Sequence, residues 1–242
     1  MKAMILAAGL GTRLRPLTEK RPKALVEIAG RTLLEITLSR LRNFGIGDVI
    51  INVHHFAAMV IEYLRANHNF GMNIEVSHED LLLDTGGGLK KAGHFFLHHS
   101  SSLDDPFLLH NVDVISTIDF RRMAQSHSEN QALATLAVQD RPTSRYLLFD
   151  ERFQLCGRRS GRDGQSELVR PSQQLQALAF SGIQIISPRL LPMLSEEGVF
   201  SIIASYLRLA AHGEKILAFR ADESYWRDLG SPDNVEQAVR DL

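Results

Sequence analysis

The chain has 242 residues, 27 basic and 28 acidic side chains and a formal net charge of −1, with 44% hydrophobic residues. It is long enough for one large α/β domain with a substantial core, and its near-neutral balance argues against a general nucleic-acid or anionic-membrane binder. A single cysteine, Cys156, leaves no intrachain disulfide and suits a reducing cytosol, and no apolar run approaches the ~20 residues that span a bilayer. The N-terminus begins as a strand, not as a secretory leader, so the expectation is a cytoplasmic enzyme without nucleic-acid or membrane partners.

Ala3 to Ala8 is a short uncharged run, the pattern of a buried parallel strand. Gly9-Leu10-Gly11-Thr12-Arg13 follows it, a turn whose free amides can seat phosphates. Arg13 and Lys23 add a planar fork and a mobile point charge. A dinucleotide-binding turn requires a third glycine where Leu14 stands, and Pro16 would break its helix. A P-loop requires Gly-Lys-Ser/Thr, which is missing here. Next, Thr32 and Glu35 form a capping-box pair ahead of Leu34, Leu38, Leu41 and Phe44 at helical spacing, with a glycine stop at Gly45. Met59, Ile61 and Leu64 recur more loosely at helical spacing. Val49 to Val53, Asn73 to Val76, Phe107 to His110 and Leu133 to Val138 read as strands. This alternation predicts right-handed βαβ units, and so an α/β, Rossmann-like, mostly parallel sheet with helices on both faces and ligands beyond the strands' carboxyl ends.

After Val138 the texture changes. Residues 139–176 are rich in Arg, Ser, Gln and Gly, with short strands predicted at Tyr146 to Phe149 and Phe153 to Cys156. They read as a β-hairpin insertion projecting from the sheet within one domain. Core texture returns at Leu178 to Ile186 and Ile216 to Phe219, and a last helix is predicted over Pro232 to Val239. The organisation is a single domain with a core at 1–138, a second part at 139–230 and a C-terminal helix at 231–242.

Three further clusters carry chemistry. Asp84-Thr85-Gly86-Gly87-Gly88 reads as a tight loop meeting a ligand or another backbone, ahead of a helical Leu89 to Phe96. His110-Asn111-Val112-Asp113-Val114 follows a strand, so Asp113 is placed either to cap a turn or to hold a hard cation. Tyr225-Trp226-Arg227-Asp228-Leu229-Gly230-Ser231-Pro232 sets Asp228 before a turn in which Ser231 can cap the final helix. The histidine pairs His54-His55 and His98-His99 point apart and chelate poorly. No G-x-S-x-G elbow supports a serine hydrolase. Arg158, Arg159, Arg162 and Arg170 read as a solvated hairpin face, with an anionic sugar contact as the alternative.

The run from Leu6 to Arg13 with Pro16-Leu17-Thr18 and Pro22-Lys23 resembles the signature of the sugar-1-phosphate nucleotidylyltransferases. The resemblance extends over nearly the whole chain and implies the reaction NTP plus sugar 1-phosphate to NDP-sugar plus pyrophosphate. It implies catalytic roles for Arg13 and Lys23, and nucleotide binding by Leu6, Ala8, Gly9, Gly11, Thr12, Glu79, Gly86 and Gly88, with Glu79 on the base edge. It implies Mg²⁺ as cofactor on Asp113 and Asp228, and a sugar site with Asn111, Tyr146 and Gly182. Val112 stands where the family has glycine before the metal aspartate. The Glu-Lys-Pro motif that many relatives use for the sugar is missing between 139 and 176, where the chain has Arg141-Pro142-Thr143-Ser144-Arg145-Tyr146. That pattern resembles the short bacterial members that make UDP-N-acetylmuramate from N-acetylmuramate 1-phosphate. GTP-dependent mannose- and heptose-1-phosphate enzymes are the alternative, and a catalytically silent regulatory subunit is the alternative of another class. No left-handed β-helix repeat follows, so no acyltransferase domain is expected. The expected partners are the two small substrates, in a monomer or homodimer.

Overall fold

The computed structural model describes residues 1–97, 105–161 and 164–241. In chain order the strands and helices are β1 (Ala3–Leu6), β2 (Glu27–Ile28), β3 (Arg31–Thr32), α1 (Leu33–Asn43), β4 (Asp48–Val53), α2 (Ala57–Ala66), β5 (Asn73–His78), α3 (Asp84–Leu97), β6 (Phe107–Asn111), β7 (Val114–Ser116), α4 (Phe120–Glu129), β8 (Ala134–Gln139), β9 (Arg145–Phe149), β10 (Leu155–Ser160), β11 (Ser166–Leu168), β12 (Gln176–Ile186), α5 (Ile202–Ala211), β13 (Ile216–Arg220), β14 (Trp226–Asp228) and α6 (Pro232–Asp241). Ten strands form one mixed sheet in the order β11-β10-β9-β12-β6-β1-β4-β5, with β8 beside β12 and β13 beside β8. β5, β4, β1 and β6 run parallel, as do β8 and β13. β12 is antiparallel to β6, β8 and β9.

Side chains alternate across the sheet and bury both faces. Ala3, Ile5, Val49 and Ile51 pack on one side with Leu34, Leu38 and Leu41 of α1, Val60 and Leu64 of α2, and Phe120 and Met123 of α4. Met4, Ile50 and Leu109 pack on the other with Leu89, Ala92 and Phe96 of α3 and with Ile202 and Tyr206 of α5. The predicted α/β sheet with helices on both faces is therefore observed. The Thr32 hydroxyl caps α1 by accepting from Glu35 N at 3.1 Å, as the capping pair predicts. Helix α2 buries Val60 and Leu64, whereas Met59 is exposed, so the stripe is offset from the predicted one.

The β-hairpin insertion is observed as β9, β10 and β11, which pair antiparallel in succession and continue the main sheet beyond β12; one predicted boundary changes. Phe153 is not in a strand. It sits at φ +57° in a turn where the Asp150 carboxylate accepts from Arg152 N and Gln154 N. Strand β10 starts only at Leu155 and runs through the arginines to Ser160. No helix among the described residues is long and apolar enough to cross a membrane.

Candidate active site

The first strand ends early because its amide ladder is diverted. Ala7 N donates to Asn52 Oδ1 at 2.7 Å instead of continuing the sheet. The chain then turns through Gly11 at φ +63°, a conformation that favours glycine. A Cβ there would also press on Thr18 Cγ2 at 2.9 Å and Lys23 Cβ at 3.2 Å, while Thr18 Oγ1 donates to Gly11 O at 2.7 Å. A single 3-10 turn, Thr12–Leu14, carries Arg13, and a second, Lys23–Leu25, carries Lys23. Leu14 fills the core beneath the loop. A cleft of about 450 Å³ opens over these residues, lined by Leu6, Ala8, Gly9, Gly11, Thr12, Arg13 and Lys23 together with Glu79, Asn111 and Asp113. Arg13 makes no ion pair or hydrogen bond with any described side chain, so its guanidinium remains available in the cleft.

A two-stranded ribbon brings the backbones of the two aspartates together; Asp113 lines the cleft, and Asp228 lies two residues before Gly230, which also lines it. β14 pairs antiparallel with β7, setting Asp228 opposite Val114, and Leu229 N donates to Asp113 O at 2.8 Å. Lys23, nearly buried, donates to Asp113 Oδ2. Asp228 Oδ1 accepts from Gly230 N at 2.6 Å. A Cβ on Gly230 would lie 2.6 Å from Asp228 Oδ1 and 2.7 Å from Arg13 Nη2, so glycine leaves the room that these two side chains occupy. Val112 is buried in the core and its amide donates to Leu6 O at 3.1 Å, so a valine is accommodated at this position. No group of three or more His, Cys, Asp or Glu among the described residues forms a closed metal site. A pair of carboxylates on neighbouring backbone segments does suit Mg²⁺, a hard ion usually held by one or two carboxylates plus substrate phosphates.

The glycine triplet differs from expectation. It is no loop but the first turn of α3, which starts at Asp84. A Cβ on Gly86 would meet the Phe200 ring at 2.3 Å, one on Gly87 the Gly198 carbonyl oxygen at 2.4 Å, and one on Gly88 Glu79 Oε1 and Asn52 Nδ2 at 2.8 Å. These glycines face protein, and Asp84 and Thr85 are the residues of this turn that line the cleft. Glu79 also lines it, yet is only 1% exposed. Its Oε1 accepts from Asn52 Nδ2 at 2.7 Å and its Oε2 from Leu83 N at 3.0 Å. Asn52, absent from the predicted set, thus ties the end of β1 to this carboxylate.

A second cavity of about 790 Å³ adjoins the first and shares Asp84, Thr85 and Asn111 with it. Tyr146 lines it, as do Arg145, Arg158 and Arg159. Gly182 sits at φ +72° where the register of β12 shifts, and a Cβ there would lie 2.9 Å from Asn111 Nδ2. The structure therefore brings Asn111 and Gly182 together, with Tyr146 and Asn111 on one cavity wall. The arginines divide. Arg158 pairs with Glu167 at 2.7 Å and Arg170 donates to Gln154 Oε1 at 2.7 Å, while Arg159 lies over the Tyr146 ring at 5.3 Å. Arg162 and the His98-His99 pair lie outside the described residues. Arg141, unremarked as a site residue, stacks 3.5 Å over Trp226 and donates to Phe180 O at 2.9 Å. Burial lowers its pKa, opposed by the Asp228 carboxylate. His110, fully buried behind the Asp113 turn, has its pKa lowered to about 4 chiefly by burial, so it is neutral near pH 7.

Residues 2–151 match the family model described as nucleotidyl transferase. The chain belongs to that family. Among curated relatives, it is 33% identical to the N-acetylmuramate alpha-1-phosphate uridylyltransferase of Caulobacter vibrioides, over 95% of this chain and 92% of that protein. The Neisseria meningitidis serogroup B protein of the same name is 31% identical over 98% and 96%. The mannose-1-phosphate guanyltransferase of Yarrowia lipolytica is 31% identical over 96% of this chain but only 61% of its own length. The fold matches HddC from Yersinia pseudotuberculosis, solved with GMP-PN, at TM-score 0.76 and 21% identity over 99% and 98% of the two chains. This nucleotidyl transferase is a sugar-1-phosphate nucleotidylyltransferase, as its opening run implies.

Proposed function

We propose that the enzyme joins UTP to N-acetylmuramate 1-phosphate, giving UDP-N-acetylmuramate and pyrophosphate. The observation that carries this choice of sugar is the second cavity, where Arg145 and Arg159 have no acidic partner among the described side chains. N-acetylmuramate differs from neutral amino sugars by a lactyl carboxylate, which a guanidinium fork matches in charge and shape. The near full-length relatives of that name support the same reading.

In the proposed reaction an oxygen of the sugar phosphate attacks the α-phosphorus in line and pyrophosphate departs. The barrier is electrostatic, since two anions must meet while charge grows on the leaving group. Arg13 and the amides of Gly11 and Thr12 neutralise the departing phosphates. Lys23, packed beside Gly11, adds a second positive charge for the α-phosphate and the attacking phosphate. Asp113 and Asp228 would hold Mg²⁺, which when bound supplies positive charge shared between the phosphates. No general base is required, because a phosphate monoester is already ionised near neutral pH. The reading includes a cytoplasmic enzyme feeding cell-wall synthesis, where nucleoside triphosphates are at hand.

Pyrophosphate release from a matrix of UTP, GTP, dTTP and ATP against the 1-phosphates of N-acetylmuramate, N-acetylglucosamine, mannose and heptose tests the assignment. The highest kcat/KM is expected for UTP with N-acetylmuramate 1-phosphate. Faster turnover of mannose or heptose 1-phosphate with GTP would overturn the substrate, and silence across the matrix would favour a regulatory subunit.

A further inference from the structure

Within that substrate reading, we propose that Arg159 is the specificity-determining residue that binds a carboxylate on the acceptor sugar. Three described arginines line the second cavity, and their surroundings separate them. Arg158 is exposed and its Nε already donates to Glu167 Oε2 at 2.7 Å. Arg145 is exposed at the start of β9, where water screens its charge. Arg159 alone is half-buried, and it sits directly across the strand pair from Tyr146. Its guanidinium lies over that ring, 5.3 Å from the centre, a cation–π contact that holds it against this side of the cavity.

The second observation is an orphan. Arg159 Nε is buried and has no hydrogen-bond partner, and a buried donor left unmade is costly. Of the acidic side chains lining this cavity, Glu167 is taken by Arg158, and Asp84 accepts from Thr85 N at 2.6 Å at the border with the first cleft. Among the described residues no acidic side chain supplies that acceptor, and a carboxylate on the ligand would. The anomeric phosphate must reach the cleft of Lys23 and Asp113, so an anion met in the second cavity, beyond Asn111, is carried elsewhere on the sugar. Gln184 adds a donor on the same wall, since its Oε1 is occupied by Tyr206 Oη at 2.5 Å and its amide nitrogen remains free to donate.

The test compares kcat/KM for N-acetylmuramate 1-phosphate and N-acetylglucosamine 1-phosphate, each with saturating UTP, in wild type, Arg159→Gln, Arg159→Lys and Arg158→Gln. Arg159→Gln is expected to lose about ten- to a hundred-fold on the carboxylated sugar, the scale of one charged hydrogen bond, while the neutral sugar changes less than about three-fold. Arg159→Lys keeps the charge without the fork and falls between, and Arg158→Gln leaves the ratio of the two sugars unchanged. Unchanged turnover of the neutral sugar also reports that the variants are folded. An equal loss on both sugars would mean a phosphate-holding or structural role and overturn the proposal, as would an unchanged ratio in Arg159→Gln. A wild type without preference for the carboxylated sugar would instead overturn the substrate reading itself.

Discussion

Replacing Asn52 by leucine keeps the shape of the side chain and removes both of its hydrogen bonds. The residue is 2% exposed, and its partners are Ala7 N and Glu79 Oε1, each at 2.7 Å. Neither partner has room to turn to water, since the Glu79 side chain is itself buried and Ala7 lies at 5% exposure. Each buried group left without its partner costs about 1–3 kcal/mol, so Asn52→Leu is expected to destabilise the fold by about 2–6 kcal/mol. For a domain of this size each kcal/mol moves Tm by ~2–4 °C, which makes the loss visible by scanning calorimetry and by urea titration at unchanged m. Because Ala7 opens the phosphate loop, kcat should fall with it in the folded fraction. A loss below about 1 kcal/mol would refute the reasoning, since it would mean that neither buried partner depends on the asparagine.

Four further outcomes are expected. Gly87→Ala should cost about 1–3 kcal/mol by overpacking, although alanine is the better helix former, because a Cβ would stand 2.4 Å from the backbone oxygen of Gly198; chemical denaturation reads the sign. His127 is buried with its pKa lowered from 6.5 to about 4, first by desolvation and then by Arg189. The unfolded chain binds that proton more readily, so its stability contribution is full above pH ~6.5 and is lost as pH falls toward 4, by about 3 kcal/mol; His127→Gln should flatten that part of the stability–pH curve. Arg13→Ala should cut kcat by roughly two to three orders of magnitude, equivalent to ~2.7–4 kcal/mol of transition-state stabilisation, as pyrophosphate release will report. Asp113→Asn and Asp228→Asn should each abolish magnesium-dependent turnover with the far-UV circular dichroism unchanged, and near wild-type rates at limiting Mg²⁺ would reject the metal assignment.

Local chemistry made much of the molecule readable in advance. The turn at the end of β1 is legible in Gly9, Gly11, Thr12 and Arg13, all of which line the cleft, and the Thr32–Glu35 pair marks a helix start that the hydroxyl indeed caps. The glycine triplet was opaque because three glycines are poor helix formers. In α3, Gly86 and Gly87 answer to residues 198–202, over a hundred positions away, and Gly88 to Asn52 and Glu79, none of which leaves space for a side chain. Asn52 closes an apolar run, where asparagine usually signals only a strand's end, and its partners lie 45 and 27 residues distant. The arginines of the insertion look alike as letters. Register and pairing separate them: one faces Glu167, one Gln154 and one Tyr146.

The ribbon between β7 and β14 has a consequence for how the enzyme comes into being. Asp113 leaves the ribosome with the phosphate loop already made, but Asp228 is translated more than a hundred residues later, a delay of ~10 s at typical elongation rates. In the complete fold β14 supplies the backbone partners of β7, and Leu229 N holds the Asp113 carbonyl, so the Asp113 turn is finished only when this late segment docks. On the proposed roles of the two aspartates, a molecule clipped before Asp228 is expected to lose turnover outright, and pyrophosphate release by such a truncation checks it.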